Sequence, residues 1–228
     1  MSISGLGKEG KGMAPKVYLI SNSTALPVQG DLESLKMIVM GNDTCVTQAL
    51  YSILKIELGP RDLVIFNEGI NDCIYRKDKS KQSWMINYIE QAALAAGDKG
   101  TVKLMREKKA YVLRKPDEEL FQFLTFEEFE KYLDLCFNLI RGQGIVLPVQ
   151  KFPKSAKEIG WAYDEVLQTN EILKRKALEY NLDYLDLWSI DLEHYDNIHL
   201  TAKGVVDFSK VLHKAVFFKA RELEAKTQ

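Results

Sequence analysis

Five short apolar runs punctuate the chain, each bounded by turn-forming residues. They are VYLI (Val17 to Ile20), MIVM (Met37 to Met40), LVIF (Leu63 to Phe66), GIVLPV (Gly144 to Val149) and YLDLW (Tyr184 to Trp188). Runs this short, continuous and rich in branched side chains predict strands buried on both faces. Between them the period changes. Val46, Ala49, Leu50, Ile53 and Leu54 fall on one helical face. Phe126, Phe129, Leu133, Phe137 and Ile140 fall on another, opened by the capping-box pair Thr125 and Glu128 and closed at Gly142. A third helix is expected from Tyr163 to Tyr180, with Val166, Leu173 and Ala177 inward. The last runs from Ala202 past Phe218, with Val205, Phe208, Leu212, Ala215 and Val216 on its inner face.

Strands alternating with helices imply parallel pairing through right-handed crossovers. The expected fold is therefore α/β: a three-layer α/β/α sandwich around a five-stranded parallel sheet, of the flavodoxin-like kind. Ligands of such sheets bind at the carboxyl ends of the strands, near the point where strand order reverses. One stretch breaks the alternation. Residues 75–124 are too long for a simple crossover, and hold a helical pattern around Trp84 to Ala96, the break GDKG and the basic run KLMREKKAYVLRK. It reads as an insertion packed over or beside the strand ends, within a single domain spanning 16–228.

Composition narrows the classes. Of 228 residues, 46% are hydrophobic and 28% charged, and the formal net charge is -1, so no global field points to nucleic acid or to a membrane surface. No stretch approaches the roughly 18 apolar residues of a membrane span. Cys45, Cys73 and Cys136 are odd in number and lack metal-site spacing, which fits a reducing cytoplasm. With three dispersed histidines, no metal and no cofactor is expected. Residues 1–15 are small, polar and glycine-rich, and read as a disordered leader with no secretory h-region.

The residues that follow the predicted strands carry the candidate chemistry. SNST follows the first, GND the second, NEGINDC the third, and DNIHLTAKG leads into the last helix. Folded as expected, these loops converge on one edge of the sheet. Serine needs an adjacent base to act as a nucleophile, and an imidazole can take its proton. A carboxylate three residues before that imidazole, Asp196 before His199, can fix its tautomer. Gly41, Asn71 and the backbone N–H of Ser23 can donate to an oxyanion.

In these four blocks the sequence resembles the SGNH hydrolases, also called the GDSL esterase/lipase family. The resemblance implies Ser23 as nucleophile in SNST, Gly41 as the second block, Asn71 in GIND as the third, and Asp196 with His199 in DNIH as the last. It covers the chain from Lys16 to the last helix, apart from the insertion. SNST departs from the family's Gly-Asp-Ser by placing Ser21 and Asn22 before the nucleophile. What the resemblance implies is a serine esterase that hydrolyses an acyl ester, an acetyl ester among the candidates, on a carbohydrate or lipid. An O-acyltransferase would use the same residues, and a binding module with the fold but no chemistry is the third reading.

Asn22, Asp72, Cys73, Lys108 and Lys109 are the candidate substrate-binding residues. The basic run has two readings: a solvated face, or a cover over the site that attracts an anionic ester. Asp186 is a rival orienter for His199, and Cys73 has no histidine placed to activate it. His194 and His213 are read as surface or packing residues.

Overall fold

Five parallel strands form the central sheet of the computed structural model, which describes residues 15–21, 37–42, 45–73, 75–76, 79–117, 119–149, 162–190, 192–193 and 200–227. In chain order the strands are β1 (Val17–Ser21), β2 (Met37–Asn42), β3 (Leu63–Asn67), β6 (Gly144–Val146) and β7 (Asp183–Tyr184). Their order across the sheet is β2-β1-β3-β6-β7, the flavodoxin-like arrangement in which direction reverses between β1 and β3. A separate antiparallel ribbon pairs β4 (Tyr75–Arg76) with β5 (Phe121–Gln122).

Alternation along the strands sorts the core into two halves. Tyr18, Ile20, Val64, Phe66 and Val146 face one side, together with residues of α1 (Val46–Ile53), α5 (Phe126–Leu139) and α6 (Tyr163–Glu179). Val17, Leu19, Leu63, Ile65 and Ile145 face the other, where Phe208, Leu212 and Val216 of α7 (Ala202–Thr227) cover them. Helices on both faces make the three layers the sequence predicts. α5 carries both arms of its capping box, Thr125 to Glu128 and back. No helix among the described residues is long and apolar enough to cross a membrane.

Two strands are shorter than their apolar runs. The GIVLPV ladder stops at Val146, with Leu147 N–H still donating to Phe66 O at 2.8 Å. Pro148 has no N–H to continue it. The next backbone unit is taken by a side chain, since Val149 N–H donates to Asn170 Oδ1 (2.7 Å) and Val149 O accepts from Asn170 Nδ2 (3.2 Å). The YLDLW run pairs only as far as Tyr184; Leu187 to Ser189 then coil into a single 3-10 turn that buries Leu187 against the α7 side. Leu54 also departs from expectation: α1 ends at Ile53, and Leu54 caps it half-exposed.

The insertion is a helical hairpin. After β4 the chain forms α3 (Lys79–Ala96), turns at Gly97 and Asp98, and returns through α4 (Lys99–Arg114) to β5. Tyr51 of α1 donates to Asp98 Oδ2 at 3.1 Å, and the Thr101 hydroxyl lies 2.8 Å from that of Tyr132 of α5. Burial pushes the Asp98 carboxyl up, but donation from Thr101, Tyr51 and Gly100 outweighs it and leaves the group below its ordinary range. The hairpin thus stands against α1 and α5, and the chain just past its β4–β5 neck bonds back to α2 through Leu124 N–H and Asp72 O.

Candidate active site

β1 and β3 are neighbours in register, so Ser21 at the end of one pairs with Asn67 at the end of the other. Ser21 Oγ donates to Asn67 Oδ1 at 3.3 Å, and Asn67 Nδ2 donates to Pro148 O at 3.2 Å. One buried amide therefore ties together the carboxyl ends of three adjacent strands. Asn67 carried no role in the sequence reading. Its signal was an amide directly after a fully apolar strand, where a turn residue is the ordinary interpretation.

The segment after β3 is tightly shaped. Gly69 has φ +132, and a β-carbon there would stand 3.0 Å from Thr169 Cγ2 and 3.3 Å from Phe129 Cζ. Glycine satisfies both the backbone angle and the close approach of α5 and α6. The chain then makes the short helix α2 (Ile70–Cys73), which carries Asn71 partly exposed. Gly41 lies next to last in β2, so its backbone reaches the same edge.

Asp72 does not face solvent. It is fully buried, and both carboxyl oxygens accept from Val46 N–H, at 3.1 and 3.0 Å, at the start of α1. Burial raises its pKa to about 8, partly offset by that N–H and by its own. The placement is that of an internal anchor, where the sequence suggested a substrate contact. Cys45 beside it is buried too; burial first and the Asp72 charge second hold its thiol well above its ordinary pKa, which makes it a poor nucleophile.

The last block is fixed at its base. Thr201 N–H donates to Glu193 O at 2.9 Å, and the Thr201 hydroxyl caps α7 by accepting from Gly204 N–H at 3.1 Å. Lys219 of α7 bonds Asp183, the first residue of β7, at 2.9 Å. α7 therefore runs antiparallel to the strands, and its start, seventeen residues or about 25 Å earlier at the helical rise, lies toward the carboxyl edge. Leu200, directly after His199 in the chain, is buried in the α7-side core. Ser23, Asn22, Asp196, His199 and the side chain of Cys73 lie outside the described residues.

The basic run forms α4, and several of its cations are engaged locally. Lys108 pairs with Glu128 at 2.8 Å and lies over the Phe121 ring, Arg106 pairs with Glu90, and buried Lys115 donates to Glu119 O. Lys108 is thus engaged at the α5 cap, and Lys109, the next residue of α4, is half-buried. A surface groove of about 620 Å³, lined by Leu94, Val102, Lys103 and Arg106 among others, runs from the Gly97 turn along α4 to Ala110. Asp186 is exposed, and its carbonyl accepts from Ser189 Oγ at 3.0 Å. His213 is exposed on α7.

No protein-family model and no curated protein matches the chain. Among solved structures, a catalytic mutant of an acetylxylan esterase from Geobacillus stearothermophilus superposes with a TM-score of 0.49 and 14% identity, over 90% of this chain and 95% of that one.

Proposed function

We propose that the chain is a serine ester hydrolase of the SGNH type that removes a short acyl group. The observation carrying this reading is the register of β1 on β3 at the point of strand reversal, with Ser21 opposite Asn67. Ser23 follows Ser21 by two Cα steps, about 7 Å of chain. Asn71 follows Asn67 by four residues, and Gly41 lies next to last in the strand on the far side of β1. His199 is one residue from Leu200, just ahead of the start of α7.

In this mechanism His199 takes the hydroxyl proton of Ser23, whose oxygen attacks the ester carbonyl carbon. Gly41, Asn71 and the Ser23 N–H donate to the oxyanion as it forms. The C–O bond to the alcohol breaks, and His199 returns the proton to the leaving alcohol. Water, deprotonated by His199, then attacks the acyl-enzyme and frees Ser23 and the carboxylic acid. Asp196 holds the imidazole in the productive tautomer throughout.

A fluorophosphonate probe tests the reading. Labelling of the folded protein at Ser23, abolished in Ser23→Ala together with hydrolysis of 4-nitrophenyl acetate, is the expected result. Folded protein that neither labels nor hydrolyses, or that does both equally in Ser23→Ala, overturns it.

A further inference from the structure

Asp72 stands in an expensive place. Its carboxyl is fully buried, and no cation reaches it among the described residues; its contacts there are Val46 N–H and, in the turn, its own backbone N–H. Capping α1 alone does not account for a carboxyl here, because asparagine can do that work without burying an acid. The backbone of the same residue is held as well. Its N–H donates to Gly69 O at 3.3 Å, and its carbonyl accepts from Leu124 N–H at 2.9 Å, directly after the neck of the hairpin. Asp72 therefore joins three elements: the start of α1, the Gly69 turn and the return of the chain into α5.

Asn71 is its neighbour in α2, which at four residues is far too short to hold its own geometry. The turn before it is pinned by Gly69 against Thr169 and Phe129, and the residue after it is pinned by Val46. We propose that Asp72 is a positioning residue, whose side-chain bond to Val46 N–H sets the direction in which Asn71 presents its amide at the strand edge. The inference rests on the ester-hydrolase reading, and adds that one buried contact behind the oxyanion donor controls turnover.

A double-mutant cycle on 4-nitrophenyl acetate hydrolysis tests it. Asp72→Ala, which has no acceptor for Val46, is expected to lower kcat between about ten- and a hundredfold, as small misplacements near a reacting centre do. KM stays within about twofold. Asp72→Asn, whose amide oxygen can take the same N–H, restores most of the rate. In the Asn71→Ala background the same Asp72→Ala change has little further effect, because the group it positions is gone. Asp72→Ser, too short to reach Val46, replaces alanine in the cycle if the alanine variant does not fold. An unchanged kcat in the folded Asp72→Ala or Asp72→Ser variant, or an equal fold-loss with and without Asn71, overturns the inference. Ser23→Ala run alongside separates the two failures: full activity there removes the esterase reading itself, whereas lost activity there with a multiplicative cycle removes only the role of Asp72.

Discussion

Gly204, in the first turn of α7, is packed so closely on Glu193 that a β-carbon built on it would overlap the Glu193 carbonyl oxygen. That oxygen also accepts from Thr201 N–H at 2.9 Å. The two ends of the segment that contains Asp196 and His199 are therefore fastened by backbone against backbone, and nothing flexible can yield to a methyl group.

Gly204→Ala should consequently force Glu193 and Thr201 apart. Overpacking of this kind costs about 1–3 kcal/mol. The expected outcome is a lower melting temperature together with a fall in ester hydrolysis, because the base of the His199 segment shifts. Thermal melting and 4-nitrophenyl acetate turnover on the same sample check both. A variant as stable and active as the parent would mean that the contact closes without consequence.

The double bond between Asn170 and Val149 invites a second test. Asn170 is buried on α6 and takes the place of a missing strand partner beyond Pro148. Asn170→Leu keeps the volume and strips both bonds from the Val149 backbone. At about 0.5–1.5 kcal/mol for each lost bond, a loss on the order of 1–3 kcal/mol is expected. The urea midpoint should fall with little change in the slope.

What the sequence disclosed and what it hid differ in physical kind. Apolar runs showed where β1 and β3 lie, and the Thr125–Glu128 pair showed where α5 starts, because burial and capping leave local signatures. The lengths of β6 and β7 were hidden, since they depend on Pro148 and on an amide from a helix many residues later. The insertion betrayed its first helix, but its second reads as a basic run, and its resting place is decided by the Tyr51–Asp98 and Thr101–Tyr132 bonds. At the site, Asn71 and Gly41 were legible as motif positions. Asp72 was legible as an acid, but only three-dimensional packing reveals that its carboxyl points at Val46.

Turnover should depend on Asn71 more than on stability. Asn71→Ala removes a donor from a partly exposed side chain, so the fold should hold while kcat drops about a hundred- to a thousandfold. Ser23→Ala and His199→Ala should each cost more, and combining them should cost little beyond either alone, since each disables the same relay. Steady-state kinetics on the three single variants and the Ser23–His199 double variant decide this. Full multiplicativity of Ser23→Ala and His199→Ala would show that they do not act together.

Asp72 finally gives the fold a pH dependence whose sign can be worked out. Burial raises its folded-state pKa to about 8, from an unperturbed 3.8. Between those values the unfolded chain releases the proton while the folded protein keeps it. Raising the pH therefore favours the unfolded state progressively, by up to about 1.4 kcal/mol per pH unit from this group. The stabilising contribution is whole below about pH 4, shrinks from there to about pH 8, and is constant above. Asp72→Asn cannot titrate, and its side-chain oxygen can still accept from Val46 N–H. Relative to the parent, the asparagine variant should gain stability steadily from pH 5 to pH 8 and then level off. Groups that do not feel the Asp72 charge cancel in that difference, and with Cys45→Ala placed in both proteins, urea unfolding at pH 5, 6, 7, 8 and 9 isolates Asp72. Curves that run parallel across the range would mean that the carboxyl ionises in the folded protein much as it does in the open chain.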